Sequence, residues 1–424
     1  MIKLTENKIP YFVGVGRLGD FRNIYFRKVF LALCFFIFLI PFSTNINGDG
    51  ISINYTYILF PVIVMLALGK IRLPDVIFLV IILLYSLVFL LTTIYQYSYF
   101  DFFDRRVFSF FIFISMFFYM FIVIDSQMVE SFKIAIIAIA IYSSLAAVFL
   151  YLLAGAGDLG FTAKGVVGSQ RFGFVYIMAI CLLLNYSPQK KSLVLLKIFV
   201  MLVVAVGLIL TFSRSGIVSI LGCFVIYMTG NILGWFKRMH PLKIKFVIKA
   251  AFSITIVSII TLLIYKIFPV PFNFYLERLF TLNQESGAST YTYDFYDPES
   301  SEGFRVYMFF EILNFISKNL FLGSGFLGVW ILFDDKSGSA HNQYLDVLFR
   351  TGILGFIAYI FLIYRLLRFL YLKDTGLYWG LIGILIYGFV HETFKLSHGA
   401  FILSFLLGMV VQHRSGKPRV DLVP

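Results

Sequence analysis

The sequence predicts an all-α polytopic membrane protein of about twelve transmembrane helices, with one long loop between the ninth and the tenth. Three observations predict it. Of 424 residues, 60% are hydrophobic and only 13% are charged, where a soluble domain carries about a quarter charged residues. Apolar runs of about 17–22 residues recur along the chain and match the hydrocarbon thickness of a bilayer. The positive charges fall mostly in alternate loops, as membrane orientation requires.

The same distribution argues against a nucleic-acid partner, despite a net charge of +13, because the basic residues mark loops rather than one surface. Cys34, Cys181 and Cys223 lie singly in apolar runs with no CxxC spacing. They suggest neither a zinc site nor a disulfide framework, and read as small buried hydrophobes.

Residues 1–28 are mixed and basic and read as a cytoplasmic N-terminal segment without a cleavable signal. Residues 29–412 read as a single transmembrane domain, and 413–424 as a cytoplasmic tail. The first span is expected at about Val29–Ser43. Others follow near Tyr55–Leu68, Asp75–Thr93, Val107–Ile124, Lys133–Leu153, Phe172–Leu184, Leu193–Phe212, Ile217–Trp235 and Val247–Ile267. The last three are expected near Ile353–Leu372, Leu377–Phe394 and Ala400–Val411. With both termini inside, the inner loops collect Lys70 and Arg72, the lysines around Lys190, the basic run Lys237–Lys249, Arg365–Lys373 and the tail. Lys133 alone marks the weakest inner loop.

The long outer loop, about 269–351, opens with Pro269 and Pro271 and continues through the acidic stretch NQESGASTYTYDFYDPESSEG. From Arg305 to Lys318 the apolar positions suit an amphipathic helix, with Phe304, Met308, Ile312, Phe315 and Ile316 at three-to-four spacing. His341–Arg350 reads as a second short helix carrying an Asp346–Arg350 i,i+4 pair, worth about 0.2–0.5 kcal/mol on a helix surface. No internal repeat is evident.

Several polar residues cluster at this outer face. GSGFLG (Gly323, Gly325, Gly328) matches G-x-G-x-x-G, but it follows an apolar helix rather than a strand of a βαβ unit, so a dinucleotide reading fails. It reads as a turn between two outer helices, or as a turn whose N–H groups also approach a phosphate. Arg214 in TFSRSG is either an interfacial arginine reaching headgroups or an anion site. Arg305 is either a salt-bridge partner of Glu302 or Glu311, or a second phosphate clamp. His341 is either a structural histidine or a general base, since an imidazole titrates near neutral pH. His391 and Glu392 end the eleventh span on the same side, as partners of the site or as a structural pair. The loop aromatics Phe272, Phe274, Tyr275, Tyr291, Tyr293 and Tyr296 suit sugar stacking or interfacial anchoring.

Taken together, TFSRSG, FRVYMFFEILNFISKNLFLGSGFLG and HNQYLDVLFRTGILG resemble the O-antigen polymerase/ligase superfamily. The resemblance covers roughly the second half of the chain. It implies a GT-C-like glycosyltransferase of the bacterial inner membrane, metal-independent, cofactor-free and inverting, acting on the periplasmic side. It implies His341 as catalytic histidine, with Arg214 and Arg305 as catalytic and diphosphate-binding arginines. Asn342, Tyr344, Gly323, Gly325 and His391 are the further expected substrate-binding residues. Asp334 and Asp335 sit in a polar gap and receive no role. The implied partners are the bilayer and undecaprenyl-diphosphate-linked oligosaccharides as donor and acceptor, with a chain-length regulator protein as a candidate partner. Within the family a repeat-unit polymerase is the leading reading and an O-antigen ligase the alternative; the acidic loop favours the polymerase. A lipid-linked oligosaccharide flippase is the alternative of another class. It would place ionisable groups mid-membrane, whereas the polar groups here gather at one face.

Overall fold

The computed structural model describes residues 24–39, 87, 91, 124–154, 173–210, 215–226, 301–325, 328–333, 340–394 and 397–415. Among them are helices and turns and no strand. The helices are α1 (Ile24–Leu39), α2 (Ser126–Ala154), α3 (Gly173–Asn185), α4 (Lys191–Leu210), α5 (Ser215–Ile226), α6 (Ser301–Lys318), the short α7 (Trp330–Phe333), α8 (Gln343–Lys373), α9 (Thr375–Tyr387) and α10 (Ser397–Ser415). By length and composition, Ser126–Phe149, Lys191–Leu210 and Gln343–Lys373 are long and apolar enough to cross a membrane. The predicted spans near Tyr55–Leu68, Asp75–Thr93, Val107–Ile124 and Val247–Ile267 lie outside the described residues, apart from Leu87, Leu91 and Ile124.

The chain divides into two compact units. One comprises Met1–Ala135, Ser324–Leu327 and Phe394–Pro424. Its core is aromatic. Phe132 stacks on Phe405 with ring centroids 4.1 Å apart, and Phe35 meets both rings edge-on at 6.0 and 5.5 Å. Phe401 closes the cluster, and all four rings are fully buried. Each such contact adds about 0.5–1.5 kcal/mol beyond the area it buries. The Ser131 hydroxyl donates to the Lys28 carbonyl at 2.9 Å and ties α2 to α1.

The other unit comprises Ile136–Gly323 and Gly328–Thr393. Its centre is the α3–α9 pair. Gly376, Gly380 and Gly383 recur on one face of α9, and that face meets Leu182, Met178 and Ile177 of α3. A Cβ on Gly380 would lie 2.9 Å from Met178 Cγ, so the small residues let the two backbones approach closely. Residues 173–183 of α3 are all buried. Lys197 of α4 donates to the carbonyls of Tyr186 (2.7 Å) and Leu184 (3.2 Å), which fixes the α3–α4 turn at the end of α3 where unpaired carbonyls gather.

Several expectations need correction. The first helix is Ile24–Leu39, starting before the expected Val29 because the basic residues Arg27 and Lys28 are themselves helical. Lys133 is not in a loop. It lies inside α2, where its amine pairs with Glu130 at 2.8 Å across one turn. The helix expected over Leu377–Phe394 ends at Tyr387, and residues 388–391 form a turn. The short helix and the following span were expected as separate elements, and α8 is indeed two helical segments, 343–351 and 353–373, broken at Gly352; only the start of the first moves, from His341 to Gln343.

Candidate active site

The site region is built on α6 and α8. Met308, Ile312 and Ile316 form the buried stripe of α6, at the spacing the sequence suggested. They pack with Val329, Phe333, Ala340 and Phe349, and the Phe315 ring lies 4.4 Å from that of Phe349. Arg305 lies in the first turns of α6. Arg214 lies outside the described residues.

After α6 the chain turns through three glycines with left-handed backbone: Gly323 (φ 66°), Gly325 (φ 68°) and Gly328 (φ 59°). Only glycine adopts these angles without strain. A side chain at Gly323 would also strike the backbone of Phe349 and Arg350, and one at Gly328 would strike the Arg350 guanidinium. The turn is therefore pressed against α8. This is the turn-between-helices reading of GSGFLG, given a packing reason.

Gly352 (φ 59°, ψ −171°) breaks the helical geometry of α8. The kink releases the Ile353 N–H, which donates instead to Leu320 O at 2.7 Å. Just before the kink, Arg350 Nε lies 3.0 Å from both carboxylate oxygens of Asp346. The spacing was legible in the sequence, but the value for a surface pair does not apply. Asp346 is buried, so removing either partner would strand a charge in a poorly solvated place.

His341 precedes α8 rather than opening it. Asn342 is the N-cap, its side-chain oxygen accepting the N–H groups of Tyr344 (2.9 Å) and Leu345 (3.0 Å). His341 itself has φ 49°, in the left-handed region that few residues other than glycine adopt and that histidine adopts more readily than most. Bonds on both sides hold it there. The Ala340 N–H donates to the Glu392 carboxylate, the Asn342 amide donates to Phe389 O at 3.0 Å, and the Gln343 N–H donates to Gly388 O at 2.7 Å. Residues 340–343 thus form a strap across the turn that ends α9. Tyr344 adds a fourth tie: its hydroxyl donates to Leu385 O at 2.7 Å and its ring meets Phe389 at 4.6 Å. His391 stacks on Tyr387, centroids 4.8 Å apart.

The structure therefore gathers His341, Asn342, Tyr344 and His391 at one end of the α8–α9 pair, and places Gly323 against α8 farther along. Asn342 and Tyr344 spend their polar atoms on the strap. Glu392 emerges as the residue that fixes the N-terminal side of His341. Its proximity to His341 depends on a chain path that residue spacing does not reveal.

Residues 198–360 match the family model described as O-antigen ligase. Over those residues the chain is similar to the O-antigen polymerase/ligase superfamily. Its members are glycosyl-transferring enzymes. The matched stretch contains Arg214, Arg305, the glycine turn and His341, whereas α9, His391 and Glu392 lie beyond it. No curated protein matches the chain.

Proposed function

We propose that the chain polymerises O-antigen repeat units linked to undecaprenyl diphosphate, at the periplasmic face of the inner membrane. The observation that carries the reading is the strap, which holds His341 in a left-handed conformation between two anchored neighbours. A backbone so constrained marks a residue whose position matters more than its local strain.

His341 accepts the proton of the acceptor hydroxyl as that oxygen attacks the anomeric carbon. The bond from that carbon to the diphosphate oxygen breaks, and undecaprenyl diphosphate leaves with inverted stereochemistry at the carbon. The leaving group departs as an anion, so no acid corresponding to the second carboxyl of a glycoside hydrolase is required. Arg214 and Arg305 offset the charge growing on the diphosphate with paired N–H donors. No cofactor takes part in this scheme.

The match to a model described as O-antigen ligase supports a second reading, transfer of glycan to lipid A-core. The acidic stretch between Glu285 and Glu302 supports the polymerase, since a phosphorylated core acceptor calls for a basic surface. A gel profile of lipopolysaccharide from cells lacking the gene separates them. Core bearing one repeat unit and no ladder is the polymerase result. Bare core with polymer retained on undecaprenyl diphosphate is the ligase result. An unchanged ladder would overturn both.

A further inference from the structure

We infer that the turn Leu320–Phe321–Leu322 is seated in the lipid at the edge of the hydrocarbon layer, on the side where His341 lies. The inference rests on α8 being a membrane span, and three observations carry it.

The first is length. Beyond the Gly352 kink, α8 runs from Ile353 to Lys373, roughly 31 Å at 1.5 Å per residue. That is close to the hydrocarbon thickness of a bilayer, about 30 Å, so with Lys373 at the far headgroups and Arg365 and Arg368 reaching toward them, Ile353 stands near the level where the helix enters it. The second is a fixed connection at that level. Ile353 N–H donates to Leu320 O at 2.7 Å, and Gly352 abuts the Phe321 carbonyl so closely that a Cβ there would collide with it. The turn therefore stands beside the first residues of the span. The third is surface chemistry. Leu320, Phe321 and Leu322 are all exposed, Phe321 at 65%. On α8 the exposed stripe is Leu354, Ile357 and Phe361, the last at 57%, which is the face a span offers to lipid. The turn and the helix that begins beside it thus both expose large apolar side chains.

Three consecutive large apolar side chains in water would form a costly exposed patch. Of the turn's backbone groups, Leu320 O is bonded to Ile353, and the N–H of the next residue, Gly323, is bonded to Asn319 O at 3.1 Å. Seated this way, the turn sets the depth of the glycine segment and of the α6 end, at the level where the headgroup of a lipid-linked donor lies.

The test is depth measurement on the full chain in vesicles of phosphatidylethanolamine and phosphatidylglycerol. Cys34, Cys181 and Cys223 are replaced by alanine, and nitroxide labels are placed singly through Phe321→Cys, Phe361→Cys and Asn314→Cys. Oxygen, which partitions into lipid, and a water-soluble nickel chelate serve as collision probes. At 321 and 361 oxygen collisions should exceed nickel collisions several-fold, with the reverse at Asn314, an exposed polar position of α6. Nickel-dominated collisions at 321 beside lipid-like values at 361 would place the turn in water and overturn the inference alone. Suppression of both probes at 321 would mean a protein surface covers it, and would overturn it equally. Water-like values at 361 would remove the span itself, and the inference with it.

Discussion

The Glu392 carboxylate accepts the backbone N–H of Ala340, across 52 residues of sequence, and both groups are buried. One residue later stands His341, in a left-handed conformation that its neighbours impose. A buried N–H left without an acceptor costs about 1–3 kcal/mol, more when the lost partner was charged. Glu392→Ala should therefore lower both the unfolding midpoint and glycan output. Glu392→Gln, which keeps an accepting oxygen, should recover most of the midpoint. Thermal unfolding in detergent with gel profiles of the glycan checks this; an Ala variant indistinguishable from the parent would count against the strap.

His341→Ala should abolish turnover while sparing donor binding. Turnover and donor binding, measured side by side with a purified lipid-linked donor, read this out. Full activity in the variant would end the general-base assignment.

Asn342 does two jobs with one amide, capping α8 and donating to Phe389. Asn342→Ser keeps a capping oxygen but does not reach Phe389 as a donor; Asn342→Ala loses both. The cap alone is worth about 0.5–2 kcal/mol. Stability should rank parent, then Ser, then Ala. Activity should already fall in the Ser variant if the strap positions His341.

For the buried Asp346–Arg350 pair, single variants Asp346→Leu or Arg350→Met should lose stability toward the lower end of roughly 3–5 kcal/mol, since Arg350 keeps some contact with solvent. The double variant should regain much of it, because no lone charge remains. A double-mutant cycle on unfolding midpoints measures the coupling.

Gly352→Ala should destabilise the protein by more than about 1 kcal/mol. Its backbone has a positive φ, and the new Cβ would press on the Phe321 carbonyl. Lower yield of monodisperse protein than the parent is the expected outcome, and an unchanged yield would count against a required positive φ at this position.

Local features were readable residue by residue. The Met308–Ile312–Ile316 stripe of α6 and the apolar length of α4 follow from side-chain chemistry repeating at the helical period, which needs no knowledge of neighbours. The Asp346–Arg350 spacing was equally visible. Its burial was not, because that depends on Gly328 and the turn lying over it.

The sequence by itself determined the helical, membrane-type composition, the family motifs, and the kinds of residue available for chemistry. The tertiary structure decided that the break between the two segments of α8 falls at Gly352, that α9 stops at Tyr387, and that His341 stands outside the helix it was expected to open. The physical reason is common to all three. Each follows from backbone groups paired over long separations, Ile353 with Leu320, Gln343 with Gly388 and Ala340 with Glu392, and local periodicity carries no record of such partners.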